Sequence, residues 1–266
     1  MLVACTMLVF GLVASVAGAL LWGSSVRAHE KQAFQTTATD VNETLEMQLR
    51  RDTEFLATLR GVLTMQPSMG ATAFSEWFAA IEGHKRQVGG LGNLVVRSVS
   101  AAQLAGFQAR RDADRAFRAL VGGQVVPAPP AGRARYCLLS AGAVNTPYNP
   151  DIARLLQGDW CNQSSPIGGY PAGGTSQAGL LRSLTDSGQF LVYRVQAQGV
   201  STFFIEGAFY RRGATLATVA QRRAGLIGWV STSVDTPTLI RSAIGEHRDI
   251  AVALLHRNPG RPLEPM

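Results

Sequence analysis

The stretch VSTFFIEGAFYR, residues 200–211, sets one carboxylate, Glu206, among aromatic and β-branched residues. At strand periodicity Thr202, Phe204, Glu206, Ala208 and Tyr210 share one face, and Phe203, Ile205, Gly207 and Phe209 share the other. An acid on an aromatic sheet face stays buried only if something answers its charge. A ligand amine, amide or hydroxyl would do so, and so would an arginine of a neighbouring strand, such as Arg194 or Arg97. Both readings stand on sequence alone. The candidate ligand-binding set is Glu206, Phe204 and Thr202, with Tyr193 and Arg194 from the preceding strand. Trp229, on a later apolar run, reads as core packing.

Other reactive side chains are sparse. Cys137 and Cys161 are the even pair downstream of an apolar N-terminal segment that contains Cys5. Outside the cytoplasm such a pair oxidises to a disulfide; otherwise the two are buried thiols. There is no CxxC, and His29, His84, His247 and His256 are far apart, so no metal site and no cofactor is expected. Arg211, Arg212, Arg222 and Arg223 bracket a short helical stretch, but only Gly213 offers the backbone a phosphate cradle would need. These arginines are expected to face solvent or cap a helix end. Asp112 and Asp114 among Arg110, Arg111 and Arg115 read as a solvated helix face with local ion pairs. No nucleophile motif, Walker loop or GxGxxG occurs, so a catalytic role is not expected.

The chain of 266 residues carries a net charge of +7, almost all of it arginine. Its basic residues are scattered and do not interleave with aromatics, which argues against nucleic-acid binding. Residues 2–22, LVACTMLVFGLVASVAGALLW, hold no charge and match the length a bilayer-spanning helix requires. A cleaved signal peptide would have a basic n-region and a shorter apolar core, so the segment reads as an uncleaved anchor over 1–23. Arg27 and Lys31 follow it and nothing basic precedes it, so charge alone argues against exporting the remainder. Residues 24–66 have Val41, Leu45, Leu49, Leu56, Leu59 and Leu63 at helical spacing, with Asp52 in the gap, and Pro67 as the stop. A helix this long predicts a stalk or dimer seam, or an ordinary helix packed along its own domain.

Beyond it, the spacing predicts a helix over FSEWFAAIEGHKRQ and a strand at NLVVRSV. A third helix, capped by Ser100, has Leu104, Phe107 and Leu120 on one face. Residues 140–178 read as loop-rich, followed by the helix AGLLRSLTDSG. QFLVYRVQA and VSTFFIEGAFYR predict an antiparallel hairpin. AGLIGWVSTSV and RDIAVALLH predict two further strands around the helix TPTLIRSAIG. About five strands covered by helices make an α+β fold.

RSVSAAQLAGFQARRDAD at 97–114, LLRSLTDSG at 180–188 and FYRRGATLATVAQRRAGLIGWVSTSVDTPTLIRSAI at 209–244 occur in that order behind an anchor and a long helix. In this the chain resembles the CHASE domain, the extracytoplasmic sensory module of histidine kinases, nucleotide cyclases and cytokinin receptors. ARYC and GDWC resemble the paired cysteines of an actinobacterial-type subset. The resemblance implies tandem PAS-like antiparallel-sheet subdomains on the stalk helix, within a sensory domain at 67–257. Its distal part would be about 67–220 and its proximal part about 221–257, with a tail at 258–266. It implies a membrane-anchored, non-catalytic sensor with a small-molecule ligand, while the length of the stalk helix suggests a homodimer through it. It also implies relay to a cytoplasmic output domain or partner. The chain stops at RNPGRPLEPM without a kinase or cyclase region. It departs from the family pattern at Ala208, where a proline is usual, and at Glu206, where a small polar residue is common. The plant ligands therefore do not carry over, and an anionic ligand is disfavoured. The other reading is an extracytoplasmic structural or interaction module that dimerises through the stalk and takes no ligand.

Overall fold

The computed structural model describes residues 2–145, 158–162, 176–197, 200–245, 247, 250–257 and 263–265. The chain divides into two compact units, residues 1–46 with 243–251 and residues 47–242 with 252–266. The expected anchor and stalk are consecutive parts of one helix, α1 (Leu2–Met65), with no break at residue 23. Its first turns are long and apolar enough to cross a membrane, and Phe10, Leu12, Leu20, Leu21 and Trp22 are exposed. Further along, the buried stripe is Val41, Leu45, Gln48, Asp52, Leu56, Leu59 and Leu63. Gln48 takes the place expected for Leu49, which is only half-buried, so two consecutive stripe positions are polar.

The second unit is built on one antiparallel sheet in the order β2-β1-β5-β4-β3. Its strands are β1 (Gly90–Ser100), β2 (Arg135–Val144), β3 (Leu191–Ala197), β4 (Val200–Tyr210) and β5 (Leu226–Asp235). The β3–β4 hairpin forms as expected. β5 lies between β1 and β4, so the sheet runs across residue 220, and the second unit runs across residue 66. Two expectations change. Among its described residues, RDIAVALLH does not join the five-stranded sheet: only Leu255–His256 pair, with Glu264–Pro265, and residues 251–255 are exposed or half-buried. An apolar alternating run without a neighbour to bond builds no ladder. The fifth strand is instead β2, in a stretch poor in β-branched residues and partly read as loop. Its order comes from register against β1, where Gly142 admits the Asn93 carbonyl at close range.

The helices also divide more finely than periodicity indicates. FSEWFAAIEGHKRQ becomes α2 (Ala71–Ala80) and α3 (Gly83–Arg86), separated by Glu82 in the left-handed region at φ 52°. The third predicted helix begins with a 3-10 turn capped by Ser100 and splits into α4 (Leu104–Ala113) and α5 (Arg115–Leu120) at Asp114. Arg111 and Phe117 are its buried residues, while Leu104, Phe107 and Leu120 are half-buried. α6 (Gln177–Ser187), α7 (Val219–Gly225) and α8 (Thr236–Ile244) complete the described helices.

The two sheet faces are covered differently. On one, α1 packs: Phe190 sits against Gly207 of β4, with Arg60 of α1 over its ring at 4.6 Å. Phe55 of α1 meets Phe78 of α2 edge-on at 5.8 Å. α6 covers the other face.

Candidate functional site

Register decides which side chains meet beneath α6. Tyr193 of β3 lies opposite Phe204 of β4, and their rings stack at 5.5 Å with 8° between planes. Glu206 lies opposite Leu191 on one side and Ser231 of β5 on the other, and Ala208 lies opposite Trp229. α6 is fastened over this face by polar bonds at its C-terminal half. Trp229 Nε1 donates to the Leu181 carbonyl at 3.1 Å and to Thr185 Oγ1 at 3.2 Å. Tyr210 donates its hydroxyl proton to the Thr185 carbonyl at 2.9 Å. Gln177, Leu180, Leu181, Leu184 and Thr185 are buried at spacings of three and four, one helix stripe.

Glu206 is 1 % exposed, and neither carboxylate oxygen has a hydrogen bond of good geometry. No ion pair reaches it among the described residues. Burial lifts its pKa to about 7, although the hydroxyls of Tyr193 and Ser231 favour the charged form. At neutral pH this carboxyl is poised between donor and acceptor. Ser231 Oγ is likewise buried without a well-formed bond, as are both amide atoms of Gln177 on the α6 stripe. Buried polar groups are nearly always bonded, so this concentration of unanswered ones marks the face for something polar.

Of the candidate set, Glu206, Phe204, Thr202 and Tyr193 share this face. Arg194 does not: it lies opposite Phe203, on the α1 side. Arg97 is also on the α1 side, over the Phe209 ring at 5.0 Å, and burial lowers its pKa to about 10. The ion pair weighed as the alternative for Glu206 is therefore excluded with either arginine by strand parity. Trp229 is core, as expected, and also an anchor for α6. Ser231 and Gln177 were missed. Period-two reading of IGWVSTSV would have aligned Ser231 with Trp229, whereas nothing in Gln177 distinguishes it from an exposed first-turn residue.

The arginine-rich stretch does not form an anion site. Arg223 makes a bidentate pair with Asp186 at 2.7 and 2.6 Å, and Arg222 Nε donates to the Asp186 carbonyl at 2.7 Å. They clamp the end of α6, beside Gly188 at φ 69°, rather than the end of their own helix. Asp112 pairs with Arg111 as expected, but Asp114 is structural: it caps α5 and bonds Thr72 of α2.

Cys137 and Cys161 form a disulfide with Cα atoms 5.2 Å apart. Asp159 braces it: Oδ1 accepts from the Cys137 and Cys161 amides at 2.8 and 3.1 Å, and Oδ2 accepts from Arg133 at 3.0 Å. Cys137, Asp159 and Cys161 could in principle surround a cation, but the disulfide removes both sulfurs as ligands. No protein-family model matches the chain, and no curated protein matches it in sequence.

Proposed function

We propose that the chain is a membrane-anchored extracytoplasmic sensor of the CHASE type. In this reading a small molecule binds between the sheet and α6, and its occupancy is relayed through α1 to a cytoplasmic output domain or partner. The PAS-like character rests on the five-stranded antiparallel sheet carried by a long helix, in one copy among the described residues. The observation that carries the reading is Glu206, a carboxyl buried on an aromatic face with no cation to answer it. A ligand amine, amide or hydroxyl would supply the missing partner, and the stacked Tyr193–Phe204 pair would supply an apolar wall. A bound state favoured over the empty one would bias the packing of α1, as a two-state relay requires. A second reading, dimerisation through α1 without a ligand, is favoured by the exposed Phe34 beyond the apolar segment.

The test is thermal shift of the full chain in phospholipid nanodiscs against a panel of small amines, amides and polyols, with Glu206→Gln as control. A stabiliser at a hundred times its Kd adds about 2.7 kcal/mol. The sensor reading expects such a hit in the wild type and a weakened one in Glu206→Gln. A panel without hits, together with a stable dimer that Phe34→Glu dissociates, would favour the second reading.

A further inference from the structure

The buried stripe of α1 contains an acid where an apolar residue would pack. Asp52 is 1 % exposed, on the sheet face opposite Glu206. The Gln87 side chain is placed to donate to its carboxyl, and Oδ2 has no partner. Gln87, the residue closing α3, carries the connection onward. Its Nε2 donates to Thr232 Oγ1 at 3.0 Å, and its Oε1 accepts from Asn93 Nδ2 at 2.6 Å. Asn93 and Thr232 lie opposite one another on the central strands β1 and β5. Three buried neutral side chains thus join α1 to the middle of the sheet.

Among the described residues, no cation completes this chain. Arg51 and Glu54 on α1, Glu76 on α2 and His84, Lys85 and Arg86 on α3 are exposed. Arg97 on β1 lies over the Phe209 ring with Nη1 and Nη2 unbonded and makes no ion pair with Asp52, and Arg241 on α8 is exposed, 3.9 Å from the half-buried Asp235 of β5. Burial first, and the Gln87 bond second, set the behaviour of Asp52. We propose that Asp52 and the Gln87–Asn93–Thr232 chain form a proton-operated latch, closed while the carboxyl is neutral and loosened when it ionises. A neutral carboxyl fits an apolar seam with one amide bond, whereas a carboxylate there has a bare oxygen and an uncompensated charge. Burial raises Asp52 from 3.8 to about 7, so the closed seam holds the proton more tightly than an opened, hydrated one. By linkage, closure weakens as pH climbs from the ordinary value to about 7 and changes little beyond. The latch needs no occupant at Glu206. It does share β5 with that site, since Thr232 follows Ser231 in sequence.

Amide hydrogen exchange over residues 53–65, in the full chain in nanodiscs and corrected for intrinsic exchange, reads the latch directly. Opening should rise about thirtyfold between about pH 5.5 and about pH 8.5. Asp52→Asn should abolish that rise and Glu206→Gln should leave it in place. A wild-type change below about twofold, or a full response retained in Asp52→Asn, overturns the latch. Should Asp52→Asn fail to fold, the carbon-13 shift of the wild-type Asp52 carboxyl decides. A midpoint near 7 supports the latch, and one at the ordinary aspartate value overturns it.

Discussion

Glu206 and Gln177 belong to the same buried face, yet only the first is legible in sequence. An acid inside FFIEGAFY contradicts its surroundings, and that contradiction is readable without coordinates. A glutamine in the first turn of a helix contradicts nothing, and its burial comes from how α6 seats on the sheet. Arg194 was misassigned for a related reason: strand neighbours alternate faces, so adjacency in sequence to Tyr193 puts it on the wrong side. That no described arginine pairs with Glu206 fixes what substitution should do. The folded protein raises Glu206 from 4.5 to about 7, so its contribution to stability is full below the ordinary carboxyl range and is lost as pH rises through about 7. Glu206→Gln removes that loss. In the absence of ligand its melting temperature should equal the wild type's near about pH 4 and exceed it above neutrality, by at most about 3 kcal/mol of stability. A variant markedly less stable than the wild type at alkaline pH would mean that the charged carboxylate has a partner. Asp52 adds a slope of the same sign, so only the double variant with Asp52→Asn should lose it entirely.

At the scale of elements, helices with strong periodicity were legible and their interruptions were not. α6 and α8 fall where the pattern put them, because caps and apolar spacing agree there. The helix predicted through residue 114 breaks because Asp114 serves two elements at once. Its Oδ1 accepts from the Ala116 and Phe117 amides at 2.9 and 3.2 Å and from Thr72 Oγ1 at 2.7 Å, while Oδ2 accepts from the Thr72 amide at 3.1 Å. Partial burial pushes this carboxyl up, but the bonds from Thr72, Phe117 and Ala116 outweigh it and hold it below the ordinary range. Asp114→Ala should therefore cost about 1–2 kcal/mol, read by chemical denaturation at neutral pH, and Asp114→Asn should cost less. The sign with pH is opposite to that of Glu206: the contribution is present above the ordinary aspartate range and is lost on acidification through the folded value. An alanine variant as stable as the wild type at neutral pH would show that Thr72 and α5 find other partners.

At the scale of the whole molecule, the α+β class and the apolar N-terminal helix follow from composition and periodicity, but the single five-stranded antiparallel sheet does not. β2 is recruited by pairing across the sequence, and no local signal in RYCLLSAGAV announces it. The cysteines were legible as a pair and the brace around them was not, because Asp159 acts through two backbone amides that only the folded strap presents. Disulfide and brace are two fastenings of the strap formed by residues 158–162 to β2, which makes a prediction about their coupling. The disulfide spans a sequence separation of 24 residues, and closing a loop of that size is worth about 3–4 kcal/mol by chain entropy. Asp159 contributes in the folded state through bonds that do not need the sulfurs. Reduction alone should thus lower the melting temperature of the full chain in nanodiscs while leaving a folded protein. Asp159→Ala alone should be milder, since the disulfide keeps the strap beside β2. Together the losses should exceed their sum, because each fastening limits how far the other's loss can spread. Non-reducing mass spectrometry must first establish the bond in the protein melted. Strict additivity, or a melting temperature that reductant leaves unchanged, would show that packing and the Trp160 amide's bond to the Cys137 carbonyl hold residues 158–162 to β2 without either fastening.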